Sequence, residues 1–339
     1  MANTVQVSVG DVVQRWMKDN AYRWKPTYRD ELWNRLNAEV VTPIGHLSAK
    51  SVTSALLMQQ VFRPLRARSH DIAQRVRQNL EAAFALAKVD GLVDQNPAID
   101  IKHVLGQKPK GGFRPALLDL DQARALLAKV EASEACRSAK FLHRFQALTA
   151  VRPSEARFAT WEQFTVDGQY WIVPADQMKM ADRGAHVVPL SRQVRQLLDD
   201  LHTALGRRPF VFPGFDGGVL ADNTVNAAIQ RAGFKGRHCA HGWRTTFSTT
   251  MHNLHPDRAR IIEACLQHYP ADVEGRYNRG NYLEARATIM QEWADLLLKG
   301  MPMTGDVSPD IPEAASGDRD GNISGFAALP HYTKCRSQV

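Results

Sequence analysis

Apolar positions recur at helical intervals along most of the chain. In "SVGDVVQRWMKDN" Ser8 is placed to cap a helix, with Asp11 three residues on in a near capping box. Val12, Val13, Trp16 and Met17 then form one apolar face. A second helix is predicted from Ser69, with Ile72, Val76, Leu80, Phe84 and Ala87 inward and Gly91 as its stop. "LDLDQARALLAKV" reads as a helix, and "RFQALTAVRPSEARFATW" contains another. The period then changes. "TWEQFTVDGQYWIVPADQ" alternates aromatic and β-branched residues around a turn at Asp167-Gly168, and "AHVVPL" is expected to add a third strand beyond "MADRG". Helical spacing returns in "SRQVRQLLDDLHTAL", capped by Ser191 with Val194, Leu197, Leu198 and Leu201 inward, and in "ADNTVNAAIQRAGF". "HGWRTTFSTTMHN" lies in the next helix. "NYLEARATIMQEWADLLLKG" is a late amphipathic helix with Met290, Trp293, Ala294 and Leu297 on one side and Gly300 as its stop.

That pattern breaks most clearly at "GQKPKGGFRP", residues 106–115, which is rich in Gly and Pro and carries Lys108, Lys110 and Arg114. A domain boundary is expected there, and 339 residues suffice for two cores. The segment from Met301 onward is rich in Gly, Pro, Ser and Asp, and disorder is expected over 300–339. The chain carries a formal charge of +8, while 300–339 is net acidic, so the positive charge belongs to the body. Such a body suits a polyanion, nucleic acid above all. Arg63, Arg66, Arg68, Arg75 and Arg77 are read either as a solvated helix face or as a phosphate-tracking one. Cys136, Cys239, Cys265 and Cys335 lack paired spacing, which points to reduced thiols and a cytoplasmic protein. No apolar run approaches the roughly 18 residues of a membrane span, and "MANTVQVSVGD" is not expected to act as a secretory leader.

Candidate chemistry lies at element edges. Arg152 stands just before a helix start at Pro153-Ser154-Glu155. Lys179 sits on or beside the expected hairpin. His241 and Arg244 are three apart on one helical face. His268 closes "EACLQHYP", and Tyr277 follows nine residues on in "VEGRYNRG". Each has an ordinary explanation alone: a salt bridge, a solvated lysine, a helix-end histidine, a half-buried aromatic. "HCAH" (His238 to His241) could suggest a metal, but it has no second ligand pair at structural-zinc spacing. No metal ligand or cofactor site is expected.

As an ordered set, "LTAVRPSEAR", "MK…HVVPLS", "HGWRTTFST", "IIEACLQH" and "YNRGNYLEARATIMQEWADLL" resemble the tyrosine recombinase (phage integrase) family. The similarity is greatest to integrases of satellite phages and genomic islands. The resemblance implies a mainly α fold with a small antiparallel β-sheet. Its domains would be a helical core-type DNA-binding domain over 1–105, a basic linker over 106–115 and a catalytic domain over 116–299. The two domains would close as a C-shaped clamp on duplex DNA. Arg152 and Arg244 would grip the scissile phosphate, Lys179 would protonate the leaving 5′-oxygen and His241 would handle a proton. His268 would be the second histidine, Tyr277 the nucleophile and Glu155 the acid that orients its neighbours. Tyr269 and Tyr282 are rival nucleophiles, but Tyr277 alone has the family's interval from His268. The chemistry suits these types: guanidinium forks match an anionic phosphodiester, and a tyrosine of pKa about 10 needs activation by a base or a cationic field. A 3′-phosphotyrosine would conserve the bond energy without ATP or metal. The partners implied are double-stranded DNA with specific core sites, a homotetramer on that DNA, and accessory DNA-bending or directionality factors. Many relatives of this type carry a further N-terminal arm-binding domain, whereas this sequence starts almost directly in the core-binding helices. The alternatives are a type IB topoisomerase-like relaxing enzyme and a non-catalytic DNA-binding protein that retains the fold.

Overall fold

The computed structural model describes residues 7–106, 113–178, 184–268 and 282–303. The chain divides into two compact units, 1–112 and 113–339.

The first unit is helical. Its elements are α1 (Val9–Asp19), α2 (Pro26–Leu36), the short α3 (Thr42–Ile44), α4 (Ser54–Leu57) and α5 (Arg63–Arg68), the long α6 (His70–Val89) and α7 (Ile101–Leu105). The Ser8–Asp11 capping box forms as expected: the Asp11 amide donates to Ser8 Oγ (3.1 Å) and the Ser8 amide to the Asp11 carboxylate (2.9 Å). Val12, Val13, Trp16 and Met17 are all buried. In α6 the buried stripe runs through Ala73, Val76, Leu80, Ala83, Phe84 and Ala87. Ile72, expected inside, is exposed, because the 3.6-residue period puts Ala73 rather than Ile72 on the line through Val76 and Leu80. Gly91 ends the helix at φ 72°, with the Leu92 amide donating to the Ala87 carbonyl and the Gly91 amide to that of Lys88. Of the basic residues near this helix, Arg77 is buried against Glu81 and Arg68 bonds to Glu39, so these two charges are partly spent inside the unit.

The second unit comprises α8 (Leu120–Glu131), α9 (Arg137–Thr149), α10 (Pro153–Arg157), β1 (Tyr170–Val173), β2 (His186–Pro189), α11 (Arg192–Leu205), α12 (Thr224–Ile229), α13 (Gly242–Leu254), α14 (Ala259–Cys265) and α15 (Leu283–Leu297). Helix α9 is its axis. Nearly every residue from Ser138 to Thr149 is buried, the mark of a helix surrounded on all sides. Trp243 and Phe247 of α13 and Ile289, Met290, Trp293 and Leu297 of α15 join the same core. Each such side chain contributes roughly 1.5–3 kcal/mol by leaving water. The Trp293 indole also donates to the Ala147 carbonyl (2.9 Å). The last helix therefore docks on its own chain.

The sheet is smaller than expected. β1 and β2 pair antiparallel, with Trp171 opposite Val188. The proposed first strand is instead a 3-10 turn over Trp161–Gln163, followed by one bridge from Phe164 to Trp171. Gln163 explains the difference: its side-chain carbonyl accepts from the Trp171 indole (2.9 Å) and lies 3.4 Å from the Thr160 amide, which holds the segment in a turn. Asp167-Gly168 does form the expected turn, with Gly168 at φ 65°.

The expected disordered tail lies outside the described residues except for 300–303. There Gly300 adopts φ 77°, and the buried Arg144 donates to the carbonyls of Pro302 and Met303 and to Glu131 (2.6 Å). Most of the expected linker, residues 107–112, is outside them too. No helix among the described residues is long and apolar enough to cross a membrane.

Candidate active site

Four of the six singled-out residues are described, and they converge. Arg152 sits in the turn between α9 and α10. Pro153 presets the first helical turn, and Glu155 at its third position reaches back to the Arg152 amide (3.3 Å) and to Arg152 Nη1 (2.6 Å). Glu155 is buried. Burial raises its pKa, but the contacts of His186 and Arg152 outweigh that and leave it below the usual carboxylate range. His186, on β2, is 3.5 Å from Glu155 Oε2, too long for a strong hydrogen bond.

Arg244 lies in the first turn of α13 and is 3 % exposed. Its Nη1 donates to the Ala150 carbonyl (2.8 Å), and its Nη2 donates to the Leu266 carbonyl (2.8 Å) and meets His268 Nε2 (2.8 Å). The Ala150 carbonyl is aimed by a left-handed residue (φ 50°) that closes α9. Burial, then repulsion from Arg152, lowers the Arg244 pKa to about 10, so it stays charged at neutral pH.

His241 immediately precedes α13. Burial lowers its pKa to about 4, helped by the positive charges of Arg114, Arg244 and Arg152 and by His268. It is therefore neutral at pH 7, able to accept a proton. The glycine of "HGWR" has a steric cause: a Cβ on Gly242 would lie 2.6 Å from the Pro115 carbonyl oxygen. That close approach straps residues 115–117 across α13. The Leu117 amide donates to His238 Nδ1 (3.0 Å), and the Thr246 hydroxyl donates to the Leu117 carbonyl (2.7 Å). The strap carries Arg114 to His241. It also commits His238 of "HCAH" to the backbone, and it turns Thr246 inward.

His268 follows α14. Leu266 is the C-cap, and Gln267 takes the left-handed conformation (φ 52°) usually left to glycine. The His268 amide then donates to the Glu263 carbonyl (2.9 Å) and the Gln267 amide to that of Ala264 (3.0 Å). This reversal brings three consecutive residues to the two arginines: the Leu266 carbonyl and His268 ring to Arg244, and Gln267 Oε1 to Arg152 Nη1 (3.2 Å). Gln267, Glu263, Arg114 and the Ala150 carbonyl were not singled out from sequence. A glutamine at a left-handed helix end has no signature, and Arg114 read only as a linker charge. Lys179 and Tyr277 lie outside the described residues, as does the rival Tyr269.

The site is thus a compact set of cations around the neutral His241 imidazole. The same residues fall inside a family match. Residues 9–104 match the phage integrase central domain and 116–284 the phage integrase family. The prophage integrase IntA of Escherichia coli K12 is 32 % identical over 292 residues, covering 84 % of this chain and 69 % of that protein. The chain belongs to the phage integrase family. The integrase of Enterobacteria phage P4 is 30 % identical over 306 residues, covering 84 % of this chain and 68 % of its own. In solved structures, the fold is shared with a lambda integrase dimer bound to a COC′ core site (TM-score 0.61, 16 % identity, 81 % of this chain and 78 % of that one). It is also shared with the Tn1549 transposon integrase in complex with transposon right end DNA (TM-score 0.58, 16 % identity, 83 % and 98 %). This integrase is a site-specific recombinase of the tyrosine class, with a central domain ahead of its catalytic domain.

Proposed function

We propose that the integrase cuts and rejoins double-stranded DNA at specific core sites through a 3′-phosphotyrosine formed by Tyr277. The observation that carries the proposal is the convergence of Arg152, Arg244, His241 and His268. Arg152 and Arg244 hold the scissile phosphate and stabilise the charge that grows on its oxygens. Arg152 Nη1 is engaged by Glu155 and Gln267, and its Nε and Nη2 have no partner among the described residues. These are the donors offered to the phosphate. His241, neutral and flanked by cations, takes the tyrosine proton. The phosphate offsets the positive field and makes that transfer easier. Lys179 protonates the leaving 5′-oxygen, and the tyrosine ester conserves the energy for rejoining.

Strand exchange joins two sites, so four protomers assemble on the paired sites, with accessory DNA-bending or directionality factors biasing the outcome. Both domains, over 1–105 and 116–299, contact DNA, and the basic 106–115 segment adds charge. A solved lambda integrase tetramer bound to a Holliday junction, a protein of the same fold, supports the four-protomer reading (TM-score 0.60, 16 % identity, 80 % of this chain and 81 % of that one). The enzyme acts where the DNA lies, in the cytoplasm.

A nicked suicide duplex carrying the core site tests the chemistry. The wild type is expected to accumulate a covalent protein–DNA adduct, and Tyr277→Phe to form none. An adduct surviving in Tyr277→Phe removes the nucleophile assignment.

A further inference from the structure

Behind His268 stands a carboxylate with no role so far. Glu263 Oε2 lies 2.8 Å from His268 Nδ1, while His268 Nε2 lies 2.8 Å from Arg244 Nη2. A guanidinium only donates. Nε2 must therefore accept, the ring is neutral, and its one proton sits on Nδ1, donated to Glu263. The geometry fixes the tautomer without any observed hydrogen.

Arg244 Nη2 carries two hydrogens, and both are in use, one on the Leu266 carbonyl and one on His268. A phosphate oxygen that takes a bond from Nη2 must displace one of these acceptors. The Leu266 carbonyl is fixed in a helix end, so the half-exposed His268 ring is the acceptor that gives way, turning about its Nδ1 bond to Glu263. Once displaced, its Nε2 faces an anion and can bind a proton from solvent. The ring would then donate from both nitrogens, to Glu263 and to the phosphate.

We propose that Glu263 is a positioning residue for strand cleavage, holding His268 in the Nδ1–H form and keeping the ring in place as phosphate replaces it on Arg244. The inference rests on the reading of His268 given above. Among the described residues, the charged and titratable groups around His268 are Glu263 on α14, Arg244 and His252 on α13, His241 ahead of α13 and, beyond Arg244, the paired Arg152 and Glu155. Four of these are cations or bases, and Glu263 is the carboxylate in contact. His252 does not compete for the same oxygen: its Nδ1 donates to the Ser248 carbonyl (2.7 Å), and its Nε2 is 3.6 Å from the other Glu263 oxygen.

Two measurements decide. In the DNA-free protein, 15N spectra of labelled histidine, with His268 assigned from His268→Ala, are expected to show Nδ1–H at His268. In Glu263→Ala that preference is expected to be lost. An Nε2–H tautomer in the wild type overturns the proposal whether or not the protein cleaves DNA. Single-turnover cleavage of the suicide duplex forms the second arm. Glu263→Ala is expected to slow cleavage about tenfold or more, and Glu263→Gln less, with DNA binding unchanged. Neither substitution should slow cleavage further in a His268→Ala background. Equal losses in both backgrounds overturn it. A wild type that forms no adduct would instead sink the recombinase chemistry and leave the tautomer result standing.

Discussion

Arg244 combines two tasks that a lysine could not share. Its planar fork satisfies two buried carbonyls, Ala150 and Leu266, from two different elements while presenting charge to the site. Arg244→Lys keeps the charge and loses the fork. Cleavage is expected to fall by about 100- to 1000-fold in the single-turnover assay, with a lowered thermal midpoint because buried carbonyls lose their donors. His143 shows the opposite case, a polar group with no task. It is fully buried beside Trp243, neither ring nitrogen has a hydrogen-bond partner among the described residues, and burial, then His238 and Arg144, lowers its pKa to about 3. His238 and His241 are also held near 4. All three bind fewer protons folded than unfolded. Stability is thus unaffected above the ordinary histidine value near 6.5 and drains away as pH falls from there towards 3. Unfolding midpoints measured from pH 7 to 4 should show this slope. His143→Leu should flatten it and be neutral to stabilising by about 1 kcal/mol at pH 7.

The elements explain what could and could not be read in advance. Regular periodicity was legible: α1, α6, α8, α11 and α15 follow the apolar spacing, and the caps of the first four, at Ser8, Ser69, Asp119 and Ser191, accept hydrogen bonds from the first turn. The site's arginines and histidines were legible because their types and order are distinctive. What stayed hidden depends on reversals of the chain. A side chain five residues before His268 is no neighbour on a helix, yet the turn at Gln267 makes Glu263 its partner. The missing third strand has a similar cause, since a side-chain amide at Gln163 outweighed the alternation of its neighbours. The Gln267 turn can be tested separately from its side chain. A non-glycine residue in the left-handed region costs roughly 1–2 kcal/mol. Gln267→Gly should relieve that cost and remove the contact to Arg152. Thermal stability is expected to hold or rise while the cleavage rate falls. A fall in both would mean that the amide, not the backbone, holds the turn.

For the whole molecule, charge is the property that composition gave directly. The body's positive charge predicts binding dominated by phosphate neutralisation, so affinity for a core-site duplex should fall at least about tenfold between roughly 50 and 200 mM salt. Binding that ignores salt would contradict the reading. The charge alone could not have chosen among DNA-binding classes. Most of its carriers lie on surfaces, and some, such as Arg77 and Arg144, are consumed inside the units by Glu81 and Glu131. Selection came from the few cations that are buried and convergent.

The reversal after α14 has one more consequence. Leu266, Gln267 and His268 hand three partners to two arginines from a single turn of backbone. Any shift of that turn's backbone therefore moves all three partners at once, where partners on separate elements would move independently. Substitutions within 266–268 should accordingly behave as one lesion, with double changes costing little more than the worse single change.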